Sequence, residues 1–294
     1  MLKHLFPVLL ALLPLCAHAD AGKLPVVASF SVLGDLVRQI GGDDVQIDTL
    51  VGPDGDVHVY QPSPGDARKL AAARLVVVNG LDLEGWMARL IASAGFRGDI
   101  VTATQGVVPL QSTEDGRTLP DPHAWQDLAN GRAYVRNIAA ALAAADPGHA
   151  TNYADRAAAY DAELADLDKW VKTEIATIPP EQRRIITTHD AFRYFGHAYG
   201  IEFRAPVGMS EDSEPSAGAV AALIRTIRHD HIRALFIENM TDPRLIEQLA
   251  RETGAVPGGA LFADALSKPG EGGESYVAMF RHNLPAMVAA MARN

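Results

Sequence analysis

Residues 149–180, HATNYADRAAAYDAELADLDKWVKTEIATIPP, decide how the rest of the chain is organised. Tyr153, Ala157, Tyr160, Leu164, Leu167, Val171, Ile175 and Ile178 recur at steps of three and four, which places them on one face of a helix. Asp155, Arg156, Asp161, Asp166, Asp168 and Lys169 occupy the opposite face. Pro179-Pro180 ends the run. At about 1.5 Å per residue, 149–178 makes a rod of about 45 Å. On both sides of this rod, strand and helix signals alternate. Before it come the strand runs 24–30, 45–51, 75–79 and 100–103, separated by helical patterns at 31–40, 64–73 and 83–94. A polar, turn-rich stretch at 111–122 (QSTEDGRTLPDP) reads as a loop, and 131–145 as a further helix stopped by Asp146-Pro147-Gly148. After the rod the alternation restarts. Strands are expected at 184–188, 202–207, 234–238 and 260–263, and helices at 191–199, 216–229, 243–253 and 275–292.

Strands separated by helices argue for βαβ units and mostly parallel sheets. The expected fold is therefore α/β: two Rossmann-like lobes joined by one long linking helix. The first lobe spans 20–148, the linking helix 149–180 and the second lobe 181–294.

Residues 1–19 read differently from the rest. Lys3 supplies a positive start, 5–16 is an apolar run broken by Pro7 and Pro14, and Ala17-His18-Ala19 has the small-x-small pattern of a signal peptidase site. The run is too short to span a bilayer, so cleavage before Asp20 and export to the periplasm are expected. Cys16 is preceded by Pro14 and Leu15, a poor context for lipid modification, and is expected to leave with the leader. Cys16 is the one cysteine of the chain. Disulfides, thiolate metal sites and cysteine nucleophiles are then excluded from the mature protein. The formal net charge is −10, and loss of Lys3 would leave −11. Such an acidic balance argues against nucleic acid or an anionic membrane as partner and suits the handling of cations.

Any metal site must therefore be built from imidazole and carboxylate. His189 follows the strand run Ile185-Ile186-Thr187-Thr188, and Asp264 follows Ala260-Leu261-Phe262-Ala263. Ligands of open parallel sheets bind at the carboxyl ends of strands, so both stand where a second-lobe site would form. The first lobe offers His58, in Gly55-Asp56-Val57-His58, and His123, stiffened by Pro120 and Pro122. Spacing alone does not bring these four together. A lone loop histidine is usually a solvated or hydrogen-bonded residue, and no HExxH, CxxC or EF-hand pattern is present. His149, His197 and His282 read as helix-start or helix-surface residues, and His229 and His231 flank Asp230 at a helix end. Glu211, Asp212 and Glu214 read as a solvated acidic loop, and Trp86, Trp125 and Trp170 as packing residues.

A set of segments carries more information together than singly. They are Val26-Ala28-Ser29-Phe30 with Leu33-Gly34-Asp35; Gly55 to His58 with Tyr60-Gln61-Pro62-Ser63-Pro64; and Asp121-Pro122-His123-Ala124-Trp125. Further on stand Thr188-His189-Asp190-Ala191-Phe192 with Tyr194-Phe195, Glu214-Pro215-Ser216, Phe236-Ile237-Glu238 and Phe262-Ala263-Asp264-Ala265-Leu266. In this order, over the whole mature chain, they resemble the zinc- and manganese-binding cluster of ABC-importer solute-binding proteins. The resemblance implies two α/β lobes bridged by a long helix, and metal ligands at His58, His123, His189 and Asp264. Three imidazoles and a carboxylate suit zinc as the transported ligand, with manganese as the alternative. Four protein ligands would close the coordination shell, which favours holding an ion over hydrolysis. The implied partner is an ABC-importer membrane permease, and a monomer is expected.

Two features bear on the metal. In manganese-type relatives the position of His189 is commonly a carboxylate, so histidine there points to zinc. Many zinc members also carry a long His-rich loop before the second histidine; here 111–122 holds Glu114, Asp115 and Asp121 and no histidine. Two other readings compete. An exported zinc-dependent hydrolase would need an open coordination position and a base such as Asp190. A surface adhesin is a role described for some relatives.

Overall fold

The computed structural model describes residues 22–114, 116–209 and 215–294. The leader 1–19 with Cys16, the loop residue Asp115 and the acidic residues Glu211, Asp212 and Glu214 lie outside the described residues. The first lobe contains β1 (Leu24–Phe30), α1 (Ser31–Gly41), β2 (Val45–Val51), α2 (Pro64–Ala72), β3 (Leu75–Val78), α3 (Met87–Ala94) and β4 (Asp99–Thr102). A short hairpin, β5 (Gln111–Glu114) and β6 (Arg117–Pro120), leads to α4 (Leu128–Ala145). The linking helix α5 spans Ala150–Ala176. The second lobe comprises β7 (Arg184–Ile186), α6 (Arg193–Tyr199), β8 (Glu202–Arg204), α7 (Ala217–His229), β9 (Leu235–Glu238), α8 (Arg244–Thr253), β10 (Pro257–Leu261) and α9 (Tyr276–Met291).

Each lobe is built on a four-stranded parallel sheet, in the orders β2-β1-β3-β4 and β10-β9-β7-β8. In both, the direction of winding reverses between two central strands: β1 and β3 in the first lobe, β7 and β9 in the second. The crevice beyond the carboxyl ends at such a reversal is where open α/β sheets bind ligands. The two crevices face each other.

The predicted stripe on α5 is the buried face: Tyr153, Ala157, Tyr160, Leu164, Leu167, Val171 and Ile175 are all buried. One apolar core runs from the first lobe through α5 into α6 and α9. A smaller core under α7 and α8, around Ile186, Leu223, Ile227, Leu235, Ile246 and Leu249, belongs to the second lobe alone.

Three expectations need correction. Residues 111–122 contain a hairpin, in which Gln111 pairs with Pro120 and Glu114 with Arg117. The helix expected from Leu83 starts at Met87. There the chain first turns through left-handed Leu81 and Asp82 so that the backbone N–H groups of Asn79 and Gly80 donate to the buried Glu84 carboxylate. The strands before His189 and Asp264 end at Ile186 and Leu261, so two residues separate each ligand candidate from its strand.

Candidate metal centre

The four candidates arrive from four separate loops. His58 sits in the β2–α2 loop, where its backbone N–H donates to Asp56 Oδ1 at 2.8 Å. The carbonyl of the preceding Val57 accepts from Trp86 Nε1 at 2.8 Å. His123 stands just before α4 on a loop tied down at Pro122, whose carbonyl accepts from Asn79 Nδ2 at 2.9 Å. Asn79 itself lies at the end of β3, so His123 is hung over the reversal point of the first sheet. His189 follows β7 and hangs over the reversal point of the second. Asp264 follows β10, and the carbonyl of Ala263 before it accepts from Trp125 Nε1 at 3.0 Å and Gln126 Nε2 at 2.9 Å. Two first-lobe side chains thus hold a second-lobe ligand loop.

These placements converge. One ligand atom from each of His58, His123, His189 and Asp264 lies within 4.8 Å of the other three, and no other such group occurs among the described residues. His123, His189 and Asp264 are fully buried, and the His58 side chain is 7% exposed. His58 Nε2 is 3.2 Å from His123 Nε2 and 3.1 Å from Asp264 Oδ2. His189 Nε2 is 3.0 Å from Asp264 Oδ2, and His123 Nε2 is 3.6 Å from Asp264 Oδ1. A tetrahedron with metal–ligand bonds of about 2.0–2.1 Å has edges of about 3.3 Å. Four of the separations, taken to either Asp264 oxygen, are near that length, and the group as a whole lies within 4.8 Å. Asp264 Oδ1 is buried and has no hydrogen-bond donor among the described residues, which leaves lone pairs for a cation.

Two further carboxylates orient the ring system, and neither was singled out as functional from the sequence. Asp121 Oδ1 lies 2.8 Å from His123 Nδ1 and also accepts the His123 backbone N–H at 3.0 Å. Glu238, at the end of β9, brings Oε2 within 2.5 Å of His189 Nδ1. Its Oε1 accepts from Thr188 N, Thr188 Oγ1 and His189 N. Both acids are fully buried. A carboxylate on Nδ1 fixes the tautomer and presents Nε2 to the centre, the usual support of a metal-bound imidazole.

Protonation follows from the same geometry. Burial works against a charged His123, but the carboxylates of Asp264 and Asp121 outweigh it and push the imidazole up to about 9. His189 is raised likewise, against burial, by Glu238 and Asp264. Asp264 is held well below the ordinary range, again against burial, by His123 and His189. Protons on two imidazoles thus offset part of the charge of the three buried acids in the ion-free protein. A divalent cation supplies the same two charges.

The remaining histidines stay apart from this cluster. His149 Nδ1 binds Asp146 Oδ2 at 2.7 Å, His229 Nδ1 binds Asp230 Oδ1 at 2.7 Å, and His282 packs at a tilt against Phe262 with ring centroids 4.6 Å apart. The three tryptophans pack as expected, but Trp86 and Trp125 also hold the His58 and Asp264 loops through their N–H groups. Asp190, the imagined base of a hydrolase, pairs with Arg193 at 3.7 Å and is not in the cluster.

Comparison with known proteins agrees with this architecture. Residues 26–290 match the family model described as zinc-uptake complex component A, periplasmic. The manganese-binding lipoprotein MntA of Bacillus subtilis is 34% identical over 288 residues, covering 94% of this chain and 94% of the relative. The manganese ABC transporter substrate-binding lipoprotein PsaA of Streptococcus pneumoniae is 31% identical, over 91% of this chain and 89% of the relative. Among solved structures, the periplasmic zinc-binding protein TroA of Treponema pallidum superimposes with a TM-score of 0.87 at 33% identity, over 92% of this chain and 100% of that one. The family match spans both lobes, the linking helix and the loops of all four candidates. The chain belongs to the family of the periplasmic component A of the zinc-uptake complex, metal-binding substrate-binding proteins that serve ABC importers outside the cytoplasm.

Proposed function

We propose that the protein captures a single divalent transition-metal ion between its lobes through His58, His123, His189 and Asp264, and that zinc is preferred over manganese. The observation that carries this reading is the convergence of four ligand atoms within 4.8 Å from four separate loops. Zinc is favoured by the donor set, three nitrogens and one carboxylate. Glu238 adds to this preference, because its Oε2 needs a donor at position 189 and imidazole supplies one. Manganese is the competing reading, since the relatives MntA and PsaA are named for that metal.

The ion is cargo, delivered to the membrane permease of the importer. The leader is cleaved before Asp20, Cys16 leaves with it, and the mature protein works in the periplasm as a monomer. A mature mass beginning at Asp20 supports this processing. A lipid-modified product beginning at Cys16, as in the relatives named lipoproteins, overturns it.

The binding reading is tested on mature protein purified without chelator. One zinc ion per chain is expected, and loss of binding in the His58→Ala, His123→Ala and His189→Ala variants. Direct competition between Zn2+ and Mn2+, read by metal analysis and thermal shift, should favour zinc. Retention of manganese against equimolar zinc would reverse the assignment of the cargo.

A further inference from the structure

The turn that leads into His58 carries a residue its local chemistry does not call for. Gly52-Pro53-Asp54-Gly55 closes with Gly55 N donating to Gly52 O at 3.2 Å. Proline stands at the second position and a left-handed residue at the third, the pattern of a type II turn. Asp54 has φ +57°, where glycine is the unstrained choice. Its contacts explain why an acid stands there. The backbone N–H of Asp54 donates to Leu266 O at 3.0 Å. Oδ1 accepts from Asn239 Nδ2 at 2.9 Å, and Oδ2 accepts from Lys268 Nζ at 2.8 Å. All three partners belong to the second lobe.

Their positions tie Asp54 to the cluster. Asn239 directly follows Glu238, which supports His189. Leu266 and Lys268 lie two and four residues after Asp264, and Asp54 itself lies four residues before His58. One first-lobe side chain therefore spans both second-lobe loops that support ligands, at the mouth of the cleft. Other interlobe bonds near the ligands, from Trp125 and Gln126 to Ala263 O, from Tyr194 OH to Asp121 O and from Leu266 N to Ser31 Oγ, do not involve the turn that leads into His58.

We propose that Asp54 is a positioning residue: by bonding Asn239 and Lys268 across the cleft it latches the His58 loop onto the second lobe and slows release of the bound ion. This rests on the reading that His58, His123, His189 and Asp264 hold that ion. The Lys268 ammonium is 65% exposed, so the ion-pair part of the latch weakens in salt. The Asn239 bond, from a half-buried amide, is less exposed to screening.

Asp54→Gly separates latch from scaffold, because glycine accepts the left-handed turn while removing every side-chain contact. Each protein is loaded with Zn2+ and chased with excess chromogenic chelator, and the thermal midpoint of the ion-free form is measured alongside. We expect zinc to leave Asp54→Gly about tenfold faster, with the ion-free midpoint within about 2 °C of the parent. Lys268→Ala should give a smaller acceleration that disappears in 1 M NaCl, and Asp54→Lys/Lys268→Asp should recover part of the lost retention. Release within twofold of the parent in Asp54→Gly, or acceleration only in proportion to a fallen ion-free midpoint, would overturn the latch. His123→Ala is the control for the site itself. If it binds zinc like the parent, the four-residue site fails; if it loses zinc while Asp54→Gly releases normally, the latch alone fails.

Discussion

At the scale of single residues, the four candidates that the structure brings together were legible as candidates, and the acids beside them were not. A histidine or acid just beyond an apolar strand is visible in the order of residues. The role of Asp121 or Glu238 depends on which imidazole lies beside it, and for Glu238 that partner is 49 residues away in sequence. A signal did exist: Glu238 closes the apolar run Leu235-Phe236-Ile237, where an acid needs a buried partner. Asp121→Asn and Glu238→Gln keep the side-chain volume but remove the carboxylate from Nδ1. Each should weaken zinc affinity by about 10- to 100-fold, measured by competition with a calibrated chelator; unchanged affinity would assign these acids to structure alone.

The raised imidazoles make a second residue-level prediction. His123 and His189 bind protons in the ion-free state at neutral pH and must lose them to ligate. Binding at pH 7 should release about two protons per ion and strengthen as the pH rises towards 9. Titration calorimetry in buffers of different ionisation enthalpy reads this directly. Heats that do not depend on the buffer would contradict it.

At the scale of elements, periodicity located nearly every strand and helix, and it failed where side-chain hydrogen bonds rather than apolar spacing shape the chain. The turn around Glu84 displaced the start of α3, and cross-strand pairing turned a polar stretch into β5 and β6. The start of α2 illustrates the same chemistry. Ser63 Oγ accepts the Asp66 backbone N–H, while Asp66 Oδ2 accepts from Ser63 N at 2.8 Å and from Tyr60 OH at 2.8 Å. This capping box fixes the chain directly after the His58 loop. Burial would raise the Asp66 carboxyl, but the bonds from Ser63, Tyr60 and Lys69 prevail and lower it to about 2. Its stabilising effect is therefore present above about pH 4 and is lost as the pH falls towards 2. Asp66→Ala should cost about 1–2 kcal/mol at pH 7. Urea unfolding should show that difference shrinking at pH 2.5, and an equal cost at both pH values would remove the carboxylate from the explanation.

At the scale of the whole molecule, the long α5 stripe and the alternation on either side made two lobes and a helical bridge readable. The junction between the lobes was not readable, because its contacts join residues far apart in sequence, such as Trp125 and Gln126 with Ala263, and Tyr276 N with Asp35 Oδ2 at 2.8 Å. The apolar core also runs without a break through α5 into α6 and α9. Two consequences follow. Thermal unfolding of the ion-free protein should be one cooperative transition, and two resolved transitions would show lobes that fold independently. Zinc should leave the radius of gyration in small-angle scattering unchanged within about 1 Å, since α5 and the shared core resist a hinge-like swing. A large compaction would contradict a stiff bridge.

The central claim is that an ion sits between the lobes on four named side chains. Its most direct test is a crystal structure of the zinc-loaded protein with anomalous data on both sides of the zinc edge. The account predicts one strong difference peak within about 2.0–2.2 Å of His58 Nε2, His123 Nε2, His189 Nε2 and an Asp264 carboxylate oxygen. A stoichiometrically loaded protein whose peak lies elsewhere, or whose ion touches only one lobe, would contradict it.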